Sequence, residues 1–184
     1  FSGNIRDDVK NSFFKNQFFL EFNSKYVLGT FKAKTSIINY TYGYDRIINQ
    51  ASNINKIKLK GNAISFGADW RAKIDKFQLD ATGEITPGLA RLAGTDLRGN
   101  LSYKKDSLFD IKASILLNSK SPNFNYLLHQ STYDAYNWEN DFENIRTQDL
   151  GFQFNYKWLN ADVNLTNIEN YTYFSEDNKP KQYI

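Results

Sequence analysis

The stretch DWRAKIDKFQLDA, residues 69–81, decides the fold. Trp70, Ala72 and Ile74 alternate with Asp69, Arg71 and Lys73, and beyond Asp75 and Lys76 the apolar Phe77, Leu79 and Ala81 alternate with Gln78 and Asp80. A period of two is that of a strand, not a helix. A two-residue turn at Asp75–Lys76 sets Ile74 opposite Phe77, Ala72 opposite Leu79 and Arg71 opposite Asp80, the last pair with complementary charge. The result is a hairpin with one apolar face and one charged face.

Composition bounds the rest. The chain has 184 residues, 41% apolar, 23% charged and 16% aromatic, with a formal charge of +3. That is room for one domain, and the plentiful Gly, Asn, Ser and Thr point to all-β, while the aromatics are too frequent for disorder. Charges of both signs are scattered without a basic tract, so nothing points to nucleic acid as a partner. Cysteine is absent, which removes disulfides, thiolate metal sites and a cysteine nucleophile. No apolar run reaches the ~18 residues of a transmembrane helix, but a barrel strand crosses with ~10 and offers only alternate residues to lipid. The opening FSGNIRDDVK has neither an initiator Met nor a signal-peptide pattern, and reads as a processed or fragmentary start.

Alternation predicts strands at 13–22, 26–39, 56–74, 77–86, 97–103, 108–117, 149–158 and 161–167. Short connections near 23–25, 75–76, 104–107 and 159–160 alternate with longer ones over 40–55, 87–96, 118–148 and from 168 onward. Short turns at one end and long loops at the other are the pattern of an antiparallel up-and-down transmembrane β-barrel, here about eight strands of a larger one. No residue on the apolar phase of these strands is charged, where a random draw would place about ten. A phase slip between Ala63 and Ile64 calls for a bulge. Aromatics gather in two bands: Phe22, Tyr26, Trp70, Phe77, Tyr103, Phe109, Tyr156 and Trp158 at the short turns, and Tyr40, Tyr42, Tyr44, Phe124, Tyr126, Tyr171, Tyr173 and Phe174 at the long loops. They read as interfacial girdles, although a soluble β-sandwich, whose ends aromatics also close, remains the alternative.

The opposite phase carries Lys15, Lys32, Lys34, Arg71, Lys73, Arg98, Lys104, Lys112 and Lys157 with Glu21, Asp69, Asp80, Glu84, Asp110 and Asp162. Such a face must meet water, because unpaired buried charge is too costly. These are the expected lumen-facing charges, with Lys157 set against Asp162 across a Leu159–Asn160 turn as Arg71 is against Asp80. Lys32 and Lys34 are expected to face Gln17 and Lys15, which would leave them the least compensated basic patch and give a pore a weak anion preference.

No phosphate-binding glycine loop and no calcium-loop spacing are present, and there is a single histidine, so no catalytic residue, metal site or cofactor is assigned. Asp7 with Asp8, and Glu176 with Asp177, read as solvated loop charges. His129 and Ser131 have the His-x-Ser spacing that can activate a hydroxyl on one strand face, but they lie in a loop without strand patterning. The aromatic-rich loop at 118–148 offers Tyr126, His129, Tyr133, Tyr136 and Trp138 beside Asn125, Asn137 and Asn140. This mixture can stack on sugars, and it can equally pack on itself as a plug over a barrel mouth.

The words VKNSFFKNQFFLEF from Val9, LKGNAISFGADWRAKI from Leu59, KSPNFNYLLHQSTYDAYNWEN from Lys120 and NLTNIENYTYF from Asn164 resemble the "putative porin" family of Bacteroidota outer-membrane barrels. The resemblance runs from about Phe1 to Phe174. It implies a longer, signal-bearing, single-chain barrel in the cell outer membrane with a pore role, and brings no catalytic residue or established substrate. The chain departs from the family in lacking a signal peptide, many strands and an aromatic C-terminal strand, ending instead in NKPKQYI. Residues 1–184 are thus expected to be one barrel segment, a fragment from the middle or later part, touching outer-membrane lipid and passing small polar solutes. A glycan- or protein-docking barrel, or part of an energised receptor barrel, stands as the functional alternative; the sequence leaves the oligomeric state open.

Overall fold

The computed structural model describes residues 8–23, 28–46, 57–88, 91–105, 109–131 and 133–183. Eight long strands form one sheet: β1 (Asp8–Asn23), β2 (Thr30–Arg46), β3 (Lys58–Ile74), β4 (Phe77–Thr86), β5 (Gly94–Lys105), β6 (Phe109–Lys120), β9 (Ile145–Tyr156) and β10 (Leu159–Glu169). The order is β1-β2-β3-β4-β5-β6-β9-β10, antiparallel throughout. Each long strand thus pairs with the next one along the chain. This is the up-and-down all-β fold that alternation predicts, as a barrel segment whose sheet is open at β1 and β10. Among the described residues the two further sheets have two strands each, too few to back the eight-stranded one as a sandwich would require. The predicted strand starts at 26, 56 and 108 fall outside the described residues, as do Tyr26 and Asp7.

The hairpin at 69–81 is as expected, with Ile74 opposite Phe77, Ala72 opposite Leu79 and Arg71 opposite Asp80. Asp75 takes the left-handed φ of +50° that so tight a reversal needs. The last turn differs. It is formed by Lys157 and Trp158, Lys157 having φ +51°, so Leu159 pairs with Tyr156 and Asp162 with Gln153. Lys157 therefore does not oppose Asp162; its ammonium lies 5.3 Å from the centre of the Tyr156 ring.

The expected bulge at Ala63–Ile64 is absent, since β2 and β3 pair without a break from Thr30–Arg71 to Gly43–Lys58. The apolar residues change face because the surroundings change. On the uncharged face Ile64, Phe66, Ala68, Trp70, Ala72 and Ile74 continue to the short-turn end, while Lys60 and Lys58 end the band at the other. Ten residue steps at ~3.3 Å span about 33 Å, or about 25 Å when tilted by ~40°, the height of a barrel's apolar band. Beyond that band the other face takes over the burial, with Leu59 and Ala63 each 6% exposed.

Candidate functional site: a charge-paired wall and the segment that crosses it

Register places Lys15, Lys32, Lys34, Arg71, Lys73, Arg98, Lys112, Asp80 and Asp162 on one face of the sheet. Glu21, Asp69, Glu84, Asp96, Lys104, Asp110 and Asp149 share that face. The charges pair across strands: Lys15 with Glu84 at 3.0 Å, Lys32 with Glu21 at 3.2 Å, Lys34 with Asp69 at 2.6 Å and Arg71 with Asp80 at 2.8 Å. Arg98 with Asp96, at 2.7 Å, and Lys112 with Asp110, at 3.7 Å, pair within their own strands. Gln78 also donates to Asp80, and Thr82 to Asp69.

This arrangement corrects the expected basic patch. Lys32 stands opposite Glu21 rather than Gln17, and Lys34 opposite Phe19 rather than Lys15. The reversal between β1 and β2 is centred two residues later than expected, which moves each partner by four residues. An even shift keeps every side chain on its face and replaces only its neighbour. The uncompensated cations lie instead at the short-turn end, where Lys73, Lys76 and Lys104 share a concave patch with Asp75, Gln78, Ser102, Asp110 and Lys112. Among the described residues these three lysines have no carboxylate within ion-pair distance.

At the long-loop end the same face is covered. Between β6 and β9 the chain makes one helical turn, α1 (Phe124–Leu127), and then a short hairpin of β7 (Leu128–His129) with β8 (Trp138–Glu139). Polar side chains replace the absent regular ladder. Trp138 Nε1 donates to the Asn125 carbonyl at 2.9 Å, Asn140 Nδ2 to the Tyr126 carbonyl at 2.9 Å, and Asn137 Nδ2 to the Tyr133 carbonyl at 2.7 Å. Leu127 and Leu128 are 1% and 0% exposed, packed in one cluster with Tyr40, Tyr42, Tyr44 and Leu59 of β2 and β3. The Phe124 ring stacks on Tyr40 at 5.3 Å and tilts on Tyr42 at 5.3 Å. Gly61 makes room for this, because a Cβ there would stand 2.9 Å from the Tyr40 hydroxyl.

The tyrosines at 40, 42 and 44 are therefore the seat of this segment and not a lipid girdle; they are on the same even phase as Lys32 and Lys34. The short-turn band fits its expectation in β4, β5, β6 and β9, where Phe77, Tyr103, Phe109 and Tyr156 form a continuous ladder of rings on the uncharged face.

The loop candidates divide. Tyr126 packs on Phe174 at 4.8 Å, and His129 lies between Trp138 at 4.5 Å and Tyr44 at 5.4 Å. Only Tyr133 and Tyr136, edge to face with each other, turn substantial ring area outward, at 51% and 43% exposure. His129 Nδ1 lies 2.7 Å from the Tyr136 carbonyl and so donates to it. Ser131 is buried, its Oγ accepting from the Tyr133 amide and its own amide donating to Asn137. Both residues thus serve to order the loop. Sequence reading missed the hairpin of β11 (Tyr171–Phe174) and β12 (Pro180–Tyr183), whose Gln182 side chain accepts from the Glu143 amide and donates to the Glu143 and Asn170 carbonyls. Among the described residues no group of His, Asp or Glu is placed to hold a metal ion.

A family model described as "Putative porin" matches residues 2–184, the whole chain. The chain belongs to that family. No curated protein and no solved structure matches it.

Proposed function

We propose, from membership of this family, that the eight strands are part of the wall of an outer-membrane β-barrel whose intact form lets small polar solutes diffuse across. The observation that carries the reading is the division of the sheet into an uncharged face, suited to lipid, and a face that carries charges of both signs, many of them ion-paired between or within strands, suited to water. Open edges at β1 and β10 carry unpaired backbone groups that hydrocarbon does not tolerate, so further strands close the barrel. No chemistry is needed: width and wall charge set what passes.

A weak anion preference follows from the short-turn end rather than from Lys32 and Lys34, which are paired. Lys73, Lys104 and Lys112 face the wall side there and Lys76 adds to them from the turn, four cations against three acids, Asp75 in the turn, Asp110 beside Lys104, and Asp162 two strands beyond Lys112 in the same row. A lumen comparable with the ~10 Å Debye length at 0.1 M salt concentrates anions beside such a cluster. Reversal potentials of the full-length protein in planar bilayers should show mild anion preference that fades as salt rises. The triple change Lys73→Glu, Lys104→Glu and Lys112→Glu should turn it toward cations. Cation preference in the unaltered channel would refute the charge argument, and absence of conductance would refute the pore. The latter result would favour a docking barrel, for which the outward rings of Tyr133 and Tyr136 are the specific observation.

A further inference from the structure

The segment after β6 travels far. Strands β6 and β9 are neighbours, so the connection between them has no distance to cover, yet it seats Leu127 and Leu128 against β2 and β3. From β6 to β2 is four strand spacings, about 19 Å at ~4.8 Å each. The path lies over the charged face, because its seat at Tyr40 and Tyr42 is on the phase of Lys32 and Lys34. Three further ties hold it. Gln130 Oε1 accepts from the Ile57 amide at 3.4 Å, Arg91 Nη1 of the β4–β5 connection donates to the Asn140 carbonyl at 3.2 Å, and Asn144 Nδ2 donates to the Ala93 carbonyl at 2.7 Å. On the side of β10, Phe174 closes on Tyr126 and Trp138.

We infer that residues 121–131 and 133–144 form a fixed roof over the charged face at the long-loop end and set the upper size of the solutes that pass. The inference rests on the pore reading above. Two apolar side chains with almost no exposure cannot leave their seat without exposing both themselves and the seat to water, so the roof stays in place instead of swinging as a gate. It sits beyond the apolar band, where β3 turns Lys58 and Lys60 outward, and so lies at the long-loop end of the charge-paired wall. Size selection at the mouth and charge selection at the short-turn end are then separate properties carried by different residues.

The test uses the full-length protein in liposomes swollen by mono-, di- and trisaccharides. Replacing residues 124–140 by a short Gly-Ser linker should raise di- and trisaccharide uptake severalfold relative to monosaccharide. A second variant, Leu128→Asp, puts a charge where none can be solvated and should have the same effect without shortening the chain. Seating is read independently through Ser131→Cys in this cysteine-free sequence. That thiol should react slowly with an impermeant charged reagent, and as fast as one at Tyr133→Cys once Leu128→Asp is added. An unchanged size ladder in both roof variants would overturn the inference while leaving the pore intact, as would fast labelling of Ser131→Cys alone. No sugar uptake by any form would overturn the pore reading instead, and the labelling rates would still report whether the roof is seated.

Discussion

Phe152→Arg is the sharpest probe of which face meets lipid. Phe152 is 47% exposed on the uncharged face, with Ala113 and Val163 as its neighbours on β6 and β10. Tyr156, in the aromatic ladder at the short-turn end, is four residues on; four steps of ~3.3 Å tilted by ~40° place Phe152 about 10 Å below that interface. In a band about 25 Å high this is close to the midplane, where an arginine costs roughly 2–4 kcal/mol. The nearest carboxylate on that face of the neighbouring strands is Glu169, which pairs with Arg146 at the other end of β9, too far to compensate it. Some two decades in the unfolding equilibrium should be lost, measured by reversible urea unfolding of the full-length protein from lipid vesicles with tryptophan fluorescence. Gln153→Arg, one residue on, lies between Lys112 and Asp162 on the charged face and should stay within about 0.5 kcal/mol. Equal losses at 152 and 153 would mean both faces are packed against protein, and the membrane reading would fall.

Two further outcomes follow from single contacts. A double-mutant cycle on Arg71 and Asp80, whose side chains meet at 2.8 Å, should give a coupling of roughly 0.2–1 kcal/mol because Arg71 is mostly exposed; cysteines at 71 and 80 should crosslink, and crosslinking at 71 and 79 instead would deny the two-residue turn. In the β11–β12 hairpin, outside the eight-stranded sheet, the Ser175 hydroxyl, with the Lys181 ammonium beside it, holds the Asp177 carboxyl below its ordinary value of 3.8. A depressed folded pKa stabilises above the unfolded value and is lost as pH falls through the folded one, so amide protection of residues 175–179 should weaken below about pH 4 and lose that dependence in Asp177→Asn.

What could be read from sequence depended on whether a local signal pinned the register. Asp75 and Lys76 leave only one way to close their hairpin, so the 77–86 strand came out to the residue. Around Lys157 the run Phe154, Tyr156, Trp158 continues the alternation through the reversal, and no glycine marks the left-handed residue, so the turn was placed two residues late. Parity survived even where partners did not, as with Lys32 and Glu21. The roof was legible only as a pair of possibilities, because Tyr, Trp and Asn in sequence suit a sugar site and a self-packed fold alike. Its seat was visible in one respect. Tyr40, Tyr42 and Tyr44 continue the phase of Lys32 and Lys34, and an apolar run on a charged phase means that something covers that face. What covers it lies more than eighty residues away in the chain, at Phe124 and Leu127, beyond any local pattern.

In the proposed pore, charge pairing and the roof together decide which term governs selection. A solute more than a few ångströms from the wall sees Lys15–Glu84, Lys34–Asp69 and Arg71–Asp80 as dipoles about 3 Å long, whose fields fall off faster than that of a single charge and are further screened within ~8–10 Å. Such a wall solvates polar molecules of either sign without holding them, which passage requires, since a site that binds tightly also blocks. Among the described residues of this wall, net charge is left at the lysines of the short-turn end and, with the opposite sign, at Asp149 and Asp162, whose partners Thr166 and Asn164 are neutral. Replacing both members of one wall pair by Gln should therefore leave ion preference nearly unchanged, whereas replacing one member creates a net charge and should move the reversal potential; a shift of the same size in both cases would show that the pairs do not cancel and that the wall itself selects by sign.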